Sequence, residues 1–222
     1  MNPAVTFSPV QSSRRRYFGD AKPALLGLFD PQGLRILDLG CGGGHNGELL
    51  KRAGARWVGG VERDAGACAE ARRRLDAVAH CDLTEFDPAV LGPEPFDAIV
   101  ASDVLEHLVE PEAVLGRALT RLRPGGLVVV SIPNVAHVYV FANLLLKRWP
   151  RKTSGIFDHT HVRFFAKRDM VALLEGGGLR ILRVEPYFTR YRLIRAACLI
   201  ASLYVFRDYW ARQFLLLAEK PG

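Results

Sequence analysis

The run Arg35-Ile36-Leu37-Asp38-Leu39-Gly40-Cys41-Gly42-Gly43-Gly44-His45 constrains this chain more than any other. A short apolar segment, Arg35 to Leu39, breaks into a glycine-rich turn, and a helix-like stretch, Asn46 to Ala53, follows. Strand, glycine turn and helix make the opening unit of a nucleotide-binding α/β fold. Glycine lets the backbone turn tightly and approach a ligand where a side chain would collide. Asp38 stands two positions before the first glycine. A dinucleotide would put its pyrophosphate against this turn, at the helix N-terminus. A carboxylate there is repulsive. The third glycine of Gly-x-Gly-x-x-Gly falls on His45. Both points weigh against a nicotinamide or flavin cofactor.

Two further apolar segments end the same way. Arg56 to Val61 ends in Glu62, roughly 20 positions after the glycines, where a carboxylate can accept from both hydroxyls of a ribose. Ala77 to Cys81 ends in Asp82. Three successive strands each closed by a carboxylate suit a ligand with an amino acid and a sulfonium, S-adenosylmethionine, better than a pyrophosphate. Between them, Asp64 to Leu75 reads as a helix, with Arg72-Arg73-Arg74 at its negative end.

On these residues the chain resembles the class I S-adenosylmethionine-dependent methyltransferases. The matching segments are LDLGCGGG (37–44), GVERD (60–64), CDL (81–83), FDAIVASDVLEHL (96–108) and LRPGGLVVVSIPN (122–134). The resemblance covers roughly Tyr17 to Lys220 and is most specific in the cofactor half. It implies that Asp38, Gly40 and Gly42, with Cys41 beside them, hold the methionine end of the cofactor. Glu62, with Arg63 next to it, would take the ribose hydroxyls, and Asp82 with the Leu83 amide the adenine. Ser102 and Asp103 would line the methyl-transfer mouth, and Tyr17 would close over the cofactor or simply pack at the N-terminus. Within the superfamily the chain looks like the small-molecule branch, including ubiquinone-type O-methyltransferases and bacterial polysaccharide and natural-product enzymes.

The expected fold is α/β: a Rossmann-like, doubly wound, seven-stranded sheet, mainly parallel, with an antiparallel last hairpin. Phe96–Ser102, Leu127–Ile132, Leu179–Glu185 and Gln213–Glu219 supply strands four to seven, and Pro111–Leu122 and Lys167–Glu175 supply helices. A chain of 222 residues can bury the core of one domain, so residues 1–222 are read as a single unit. Two segments exceed the minimal core. Asn134–Phe165 follows the fifth strand, above the edge where ligands bind such sheets, and is expected to be a lid or substrate wall. Residues 188–211 form an apolar, probable-helix insertion before the last strand; its uncharged part, Ala196 to Phe206, is shorter than the about 20 residues that span a bilayer.

The net charge is +7, and 24 of the 30 basic residues are arginine, a bias that genome composition can produce. An acidic partner is the functional alternative. Nucleic acid is disfavoured: the basic residues are dispersed, and Ala101-Ser102-Asp103-Val104 replaces the Asn/Asp-Pro-Pro-Tyr of base amino methyltransferases. Expected partners are a small-molecule acceptor, with peripheral membrane contact through 138–149 or 190–209 and a homodimer as further candidates. Ser13-Arg14-Arg15-Arg16 lacks the apolar region of an export signal, and the four cysteines lack metal-like spacing. The chain is therefore expected to be cytoplasmic, with membrane association as the variant.

Methyl transfer from a sulfonium needs alignment of the reacting groups, and a hydroxyl acceptor gains from a base. His161 is the first candidate and His107 the second. If 158–165 is extended, His159, His161 and Arg163 share one face and Asp158, Thr160 and Val162 the other. The bland alternative makes His161 and Arg163 structural anchors of the lid. Asp103, Glu106 and His107, at i, i+3 and i+4, could share a helical face and hold a divalent ion; the expectation is that no metal is used. Oxygen is the expected acceptor atom. Nitrogen or carbon acceptors, RNA, and a non-catalytic cofactor-binding protein remain the alternatives.

Overall fold

The computed structural model describes residues 21–188 and 206–222. Seven strands are present: β1 (Arg35–Leu39), β2 (Trp57–Glu62), β3 (Ala77–His80), β4 (Phe96–Ser102), β5 (Leu122–Pro133), β6 (Arg180–Tyr187) and β7 (Gln213–Glu219). They form one sheet in the order β3-β2-β1-β4-β5-β7-β6. Neighbours from β3 to β5 are parallel, and β7 runs antiparallel between β5 and β6. Strand order reverses between β1 and β4, which opens a crevice at their carboxyl ends. This is the mainly parallel Rossmann-like sheet that the alternation of patterns predicts, with the antiparallel last hairpin that the family resemblance implies.

Every residue of β1 is buried, Asp38 included, because helices cover both faces. Side-chain alternation divides the core. Leu37, Leu39, Ile99 and Val130 pack on one side; Ile36, Ala98, Val100 and Val129 pack on the other. Helices α1 (His45–Arg52), α2 (Ala65–Ala71), α3 (Pro111–Leu119), α4 (Val138–Leu145), α5 (Lys167–Gly176) and α6 (Arg207–Trp210) make the flanking layers and connections. Asp64 caps α2 by accepting from the Ala67 amide at 2.9 Å, so the helix starts one residue later than its pattern suggests. Pro124-Gly125-Gly126 does not simply separate a helix from a strand. It lies inside a longer β5, where the register with β4 slips between Phe96 and Ala98 and Gly125 takes φ 70°.

The segment after β5 is pinched at its base. Asn134 bridges Phe165, and the Val135 amide donates to the Phe165 carbonyl at 2.9 Å. The buried Asn134 side chain donates to the carbonyls of Asp208 and Ala211, both at 2.9 Å, and accepts from the Ala136 amide at 3.1 Å. One residue thus ties the start of the insertion to the chain entering β7. Of the second insertion, only Phe188 and Phe206–Ala211 fall among the described residues; positions 189–205 lie outside them.

Asn134→Ala removes the side-chain partner of the Ala211 carbonyl and the Ala136 amide, and one of the two donors to the Asp208 carbonyl. The expected cost is roughly 2–3 kcal/mol in urea unfolding; an unchanged midpoint would show that the tie carries no stability.

Candidate functional site

The glycine turn between β1 and α1 is set by backbone geometry. Gly40 (φ 63°), Gly42 (φ 52°) and Gly44 (φ 80°) all take left-handed conformations that side chains disfavour. A Cβ on Gly40 would also stand 2.8 Å from a Val104 methyl. The turn folds back over the end of β2. There Glu62, itself buried, accepts from the Gly42 amide at 3.0 Å through Oε2, and from the Arg63 and Asp64 amides at 2.9 and 2.8 Å through Oε1. Oε1 is thereby filled, and Oε2 keeps a lone pair for a further donor.

Asp38 has no such support. It is 1% exposed beneath the turn, and its Oδ2 has no hydrogen-bond partner among the described residues. Burial, and then the neighbouring Glu62, push its pKa up to about 7. Burial, followed by Asp38 and Glu62, also pushes the Cys41 thiol upward, so that thiol stays protonated. Asp82 behaves oppositely. Its Oδ1 accepts from the amide and hydroxyl of Thr84, both at 2.8 Å, which holds the carboxyl below its ordinary value.

These groups border a cleft of about 550 Å³ along the carboxyl edge of the sheet, a volume suited to a small molecule. Gly40, Cys41, Gly42, Glu62, Arg63, Asp82, Leu83, Ser102, Asp103, His107 and His161 all line it. Asp38 lies just under its floor and does not open onto it. Tyr17 lies outside the described residues.

At the β4 end the chain turns sharply, and Asp103 takes φ 57°. Its carboxylate faces Lys22, which it pairs with, and the Gln213 amide, 2.6 Å away. The Lys22 ammonium also donates to Ser131 Oγ at 2.7 Å and to Gln213 Oε1 at 3.0 Å. Lys22, Gln213 and Ser131 were not singled out by sequence reasoning. Gln213 carried a usable signal: the first residue of an antiparallel strand lies at the same edge as the carboxyl ends of its parallel neighbours. Lys22 carried none.

Residues 105–107 form a single 3-10 turn, not a helix, so Asp103, Glu106 and His107 do not share a helical face. Asp103 is engaged by Lys22 and Gln213 instead. The turn meets the insertion. The Glu106 carbonyl accepts from the Val162 and Arg163 amides, both at 3.0 Å, and Arg163 donates to the Val109 carbonyl at 2.6 Å. Arg163 is therefore an anchor. The stretch around Asp158 is not extended: Asp158 Oδ1 accepts from the Thr160 amide at 2.9 Å and its hydroxyl at 2.7 Å. That turn brings Asp158, Thr160 and His161 onto the cleft together, contrary to strict alternation. The His107 and His161 rings meet edge to face with centroids 4.8 Å apart. Burial lowers both imidazole pKa values, so both rings are neutral near pH 7. Glu106, His107 and His161 present ligand-type atoms within 4.8 Å of one another.

A nucleotide-class cofactor cleft on a switched parallel sheet, with acids at three adjacent strand ends, defines the general class. The family profile described as a methyltransferase domain matches residues 10–184, and the chain belongs to the class I S-adenosylmethionine-dependent methyltransferase family. It is 31% identical to the ubiquinone biosynthesis O-methyltransferase of Aeromonas salmonicida over 70% of this chain and 65% of that protein. The Neisseria meningitidis enzyme of the same name is also 31% identical, over 70% and 67%. The chain thus spans about two thirds of the length of these relatives. Among solved structures, an S-adenosylmethionine-dependent methyltransferase from Mesorhizobium loti superposes with a TM-score of 0.64 at 23% identity, over 89% of this chain and 96% of that one. Magnesium protoporphyrin IX methyltransferase from Synechocystis, solved with bound SAH, gives 0.63 at 18%, over 99% and 90%. At those identities the likeness concerns the fold.

The elevated pKa of Asp38 has a signed consequence. Its carboxyl favours the folded state below the unfolded pKa of 3.8, and that contribution is lost as pH rises through about 7. Asp38→Asn removes the ionisation. The ligand-free variant is expected to gain thermal stability over wild type at pH 8 but not at pH 4; the reverse order would contradict the buried, partly orphaned carboxyl.

Proposed function

We propose that this chain transfers the methyl group of S-adenosylmethionine to an oxygen of a small-molecule acceptor. The observation carrying the reading is the graded chemistry along one cleft: the glycine turn after β1 and the acids at the β2 and β3 ends on one side, neutral imidazoles on the other. The residues fit the cofactor. The glycine turn that borders the cleft, with the buried Asp38 beneath it, suits its methionine end. Glu62 Oε2 has a lone pair left for a ribose hydroxyl, and Asp82 with Leu83 lies where adenine would reach the β3 end. When bound, S-adenosylmethionine supplies a methyl already activated by its sulfonium.

What remains for the chain is to align the acceptor, exclude water and accept a proton. His161, neutral and cleft-lining, is the base of this reading, with His107 holding its ring edge-on. The insertion 134–165 forms the acceptor wall of the single domain, because Ser154, Gly155, Asp158, Thr160 and His161 all come from it. The names of the relatives support oxygen as the acceptor atom. His161→Ala is expected to lower kcat on an active acceptor by about 10²–10⁴-fold while leaving S-adenosylmethionine affinity within twofold by calorimetry. Unchanged turnover would remove His161 from the mechanism.

The outer face of the insertion supports peripheral contact with an anionic bilayer. Helix α4 buries only Val140 and Asn143, and exposes Phe141, Leu144 and Leu145, with Leu146 following. Lys147, Arg148, Arg151 and Lys152 follow at once, and this charge selects phosphatidylglycerol over phosphatidylcholine. No helix among the described residues is long and apolar enough to cross a membrane. Cosedimentation with phosphatidylglycerol vesicles is expected and should fall at least tenfold in Leu145→Glu. Equal binding to both lipids, or to neither, would contradict it.

A further inference from the structure

We propose that Arg117, on α3 and outside the residues that line the cleft, is the positioning residue for adenine recognition, acting through the Leu83 carbonyl. This rests on placing the adenine of S-adenosylmethionine against Asp82 and Leu83 at the β3 end. Arg117 Nη2 donates to the Leu83 carbonyl at 2.9 Å, across 34 positions of sequence. Its Nε is buried and has no hydrogen-bond partner among the described residues. A guanidinium left partly unsatisfied in a buried position calls for a reason beyond helix stability. Nor does Arg117 belong to the apolar stripe that seats α3, which is Pro111, Val114, Leu115, Ala118 and Leu119.

The Leu83 carbonyl belongs to a peptide held at both ends. At its other end, the Thr84 N–H donates to Asp82 Oδ1 at 2.8 Å, and the Thr84 hydroxyl donates to the same oxygen at 2.8 Å. The Asp82 carbonyl closes the turn by accepting from the Glu85 amide at 3.1 Å. These three bonds lie within residues 82–85, so they set the shape of the turn and not its orientation toward the cleft. The buried Leu83 side chain anchors the turn at one point. The Arg117 bond supplies a second, and two points fix the tilt. Asp82 and Leu83, both cleft-lining, are thereby presented in one register.

Adenine makes that register matter. Its Watson–Crick edge carries a donor, the N6 amino group, beside an acceptor, N1. Asp82 is ionised, because its bonds to Thr84 hold the carboxyl below its ordinary value. Its Oδ2, with the exposed Arg63 guanidinium 3.9 Å away, keeps acceptor capacity, and the Leu83 amide is a donor. Hypoxanthine reverses both positions, with a carbonyl at C6 and an N–H at N1. An acceptor and a donor in fixed relation therefore accept adenine and reject hypoxanthine, whereas a turn free to tilt loses both contacts together. Arg117 acts on base selection without touching the base. A cation in the last turn of α3 also suits the helix dipole, but that role changes stability alone.

The test compares binding of S-adenosylhomocysteine and S-inosylhomocysteine to the full chain by calorimetry, with melting temperatures recorded alongside. Wild type is expected to favour the adenosyl ligand by about tenfold or more. Arg117→Met should cut that ratio by about fivefold, mainly by weakening the adenosyl ligand, and Arg117→Lys should give an intermediate ratio. Arg121→Met is the control. Arg121 likewise donates to a carbonyl, that of Gly92 at 2.7 Å, but away from the cleft, so its loss should leave the ratio unchanged. A folded Arg117→Met protein with the wild-type ratio would overturn the proposal, and so would an equal fall in Arg121→Met. Arg117→Gln serves with the same two outcomes if the methionine variant does not fold. Asp82→Ala tests the placement beneath the proposal: a wild-type ratio in that variant would show that adenine is not read at the β3 end, whatever Arg117 does.

Discussion

Two carboxylates forced together at the ends of neighbouring buried strands govern this structure. Isolated charges in a dry interior are costly, and the chain treats the pair unequally. Glu62 receives three backbone amides, one of them from the glycine turn itself, and so fastens that turn to β2. Asp38 is left with an oxygen that no described residue satisfies. The left-handed glycines follow from the need to bring the Gly42 amide back over β2, and the cleft opens where that fold-back leaves space.

The opposite wall follows a similar logic. The sharp turn at Asp103 sends its carboxylate away from the 105–107 turn, toward Lys22 and Gln213. Glu106 is thereby left beside the histidines, within a wall the insertion completes. Stability and function pull apart at both ends of the cleft. Asp38 and Glu106 each hold carboxyl oxygens in low dielectric without a hydrogen-bond partner among the described residues, at a cost to stability.

Much of this could be read from the sequence. The strand ends at Asp38, Glu62 and Asp82 and the seven-stranded sheet were legible, because buried strands and glycine turns write short, local patterns. So was the insertion after β5. The missed features are long-range or depend on one turn. Lys22 meets Gln213 across 191 positions, and no local pattern announces such a pair. Asp158-His159-Thr160 does carry the Asp-x-Thr signature of a side-chain-capped turn. Alternation outweighed it in the reading, and the three cleft-facing residues were split between two faces. The 105–107 turn failed as a helix because β4 kinks at a positive φ that the sequence Ser102-Asp103-Val104 does not demand.

The central claim is that the glycine turn and its carboxylates select S-adenosylmethionine over a dinucleotide. Parallel calorimetric titrations of the full chain with S-adenosylmethionine and with NAD address it most directly. The account predicts one S-adenosylmethionine bound per chain, with micromolar affinity, and no heat from NAD beyond dilution. NAD binding at comparable affinity, or no binding of S-adenosylmethionine, would contradict it.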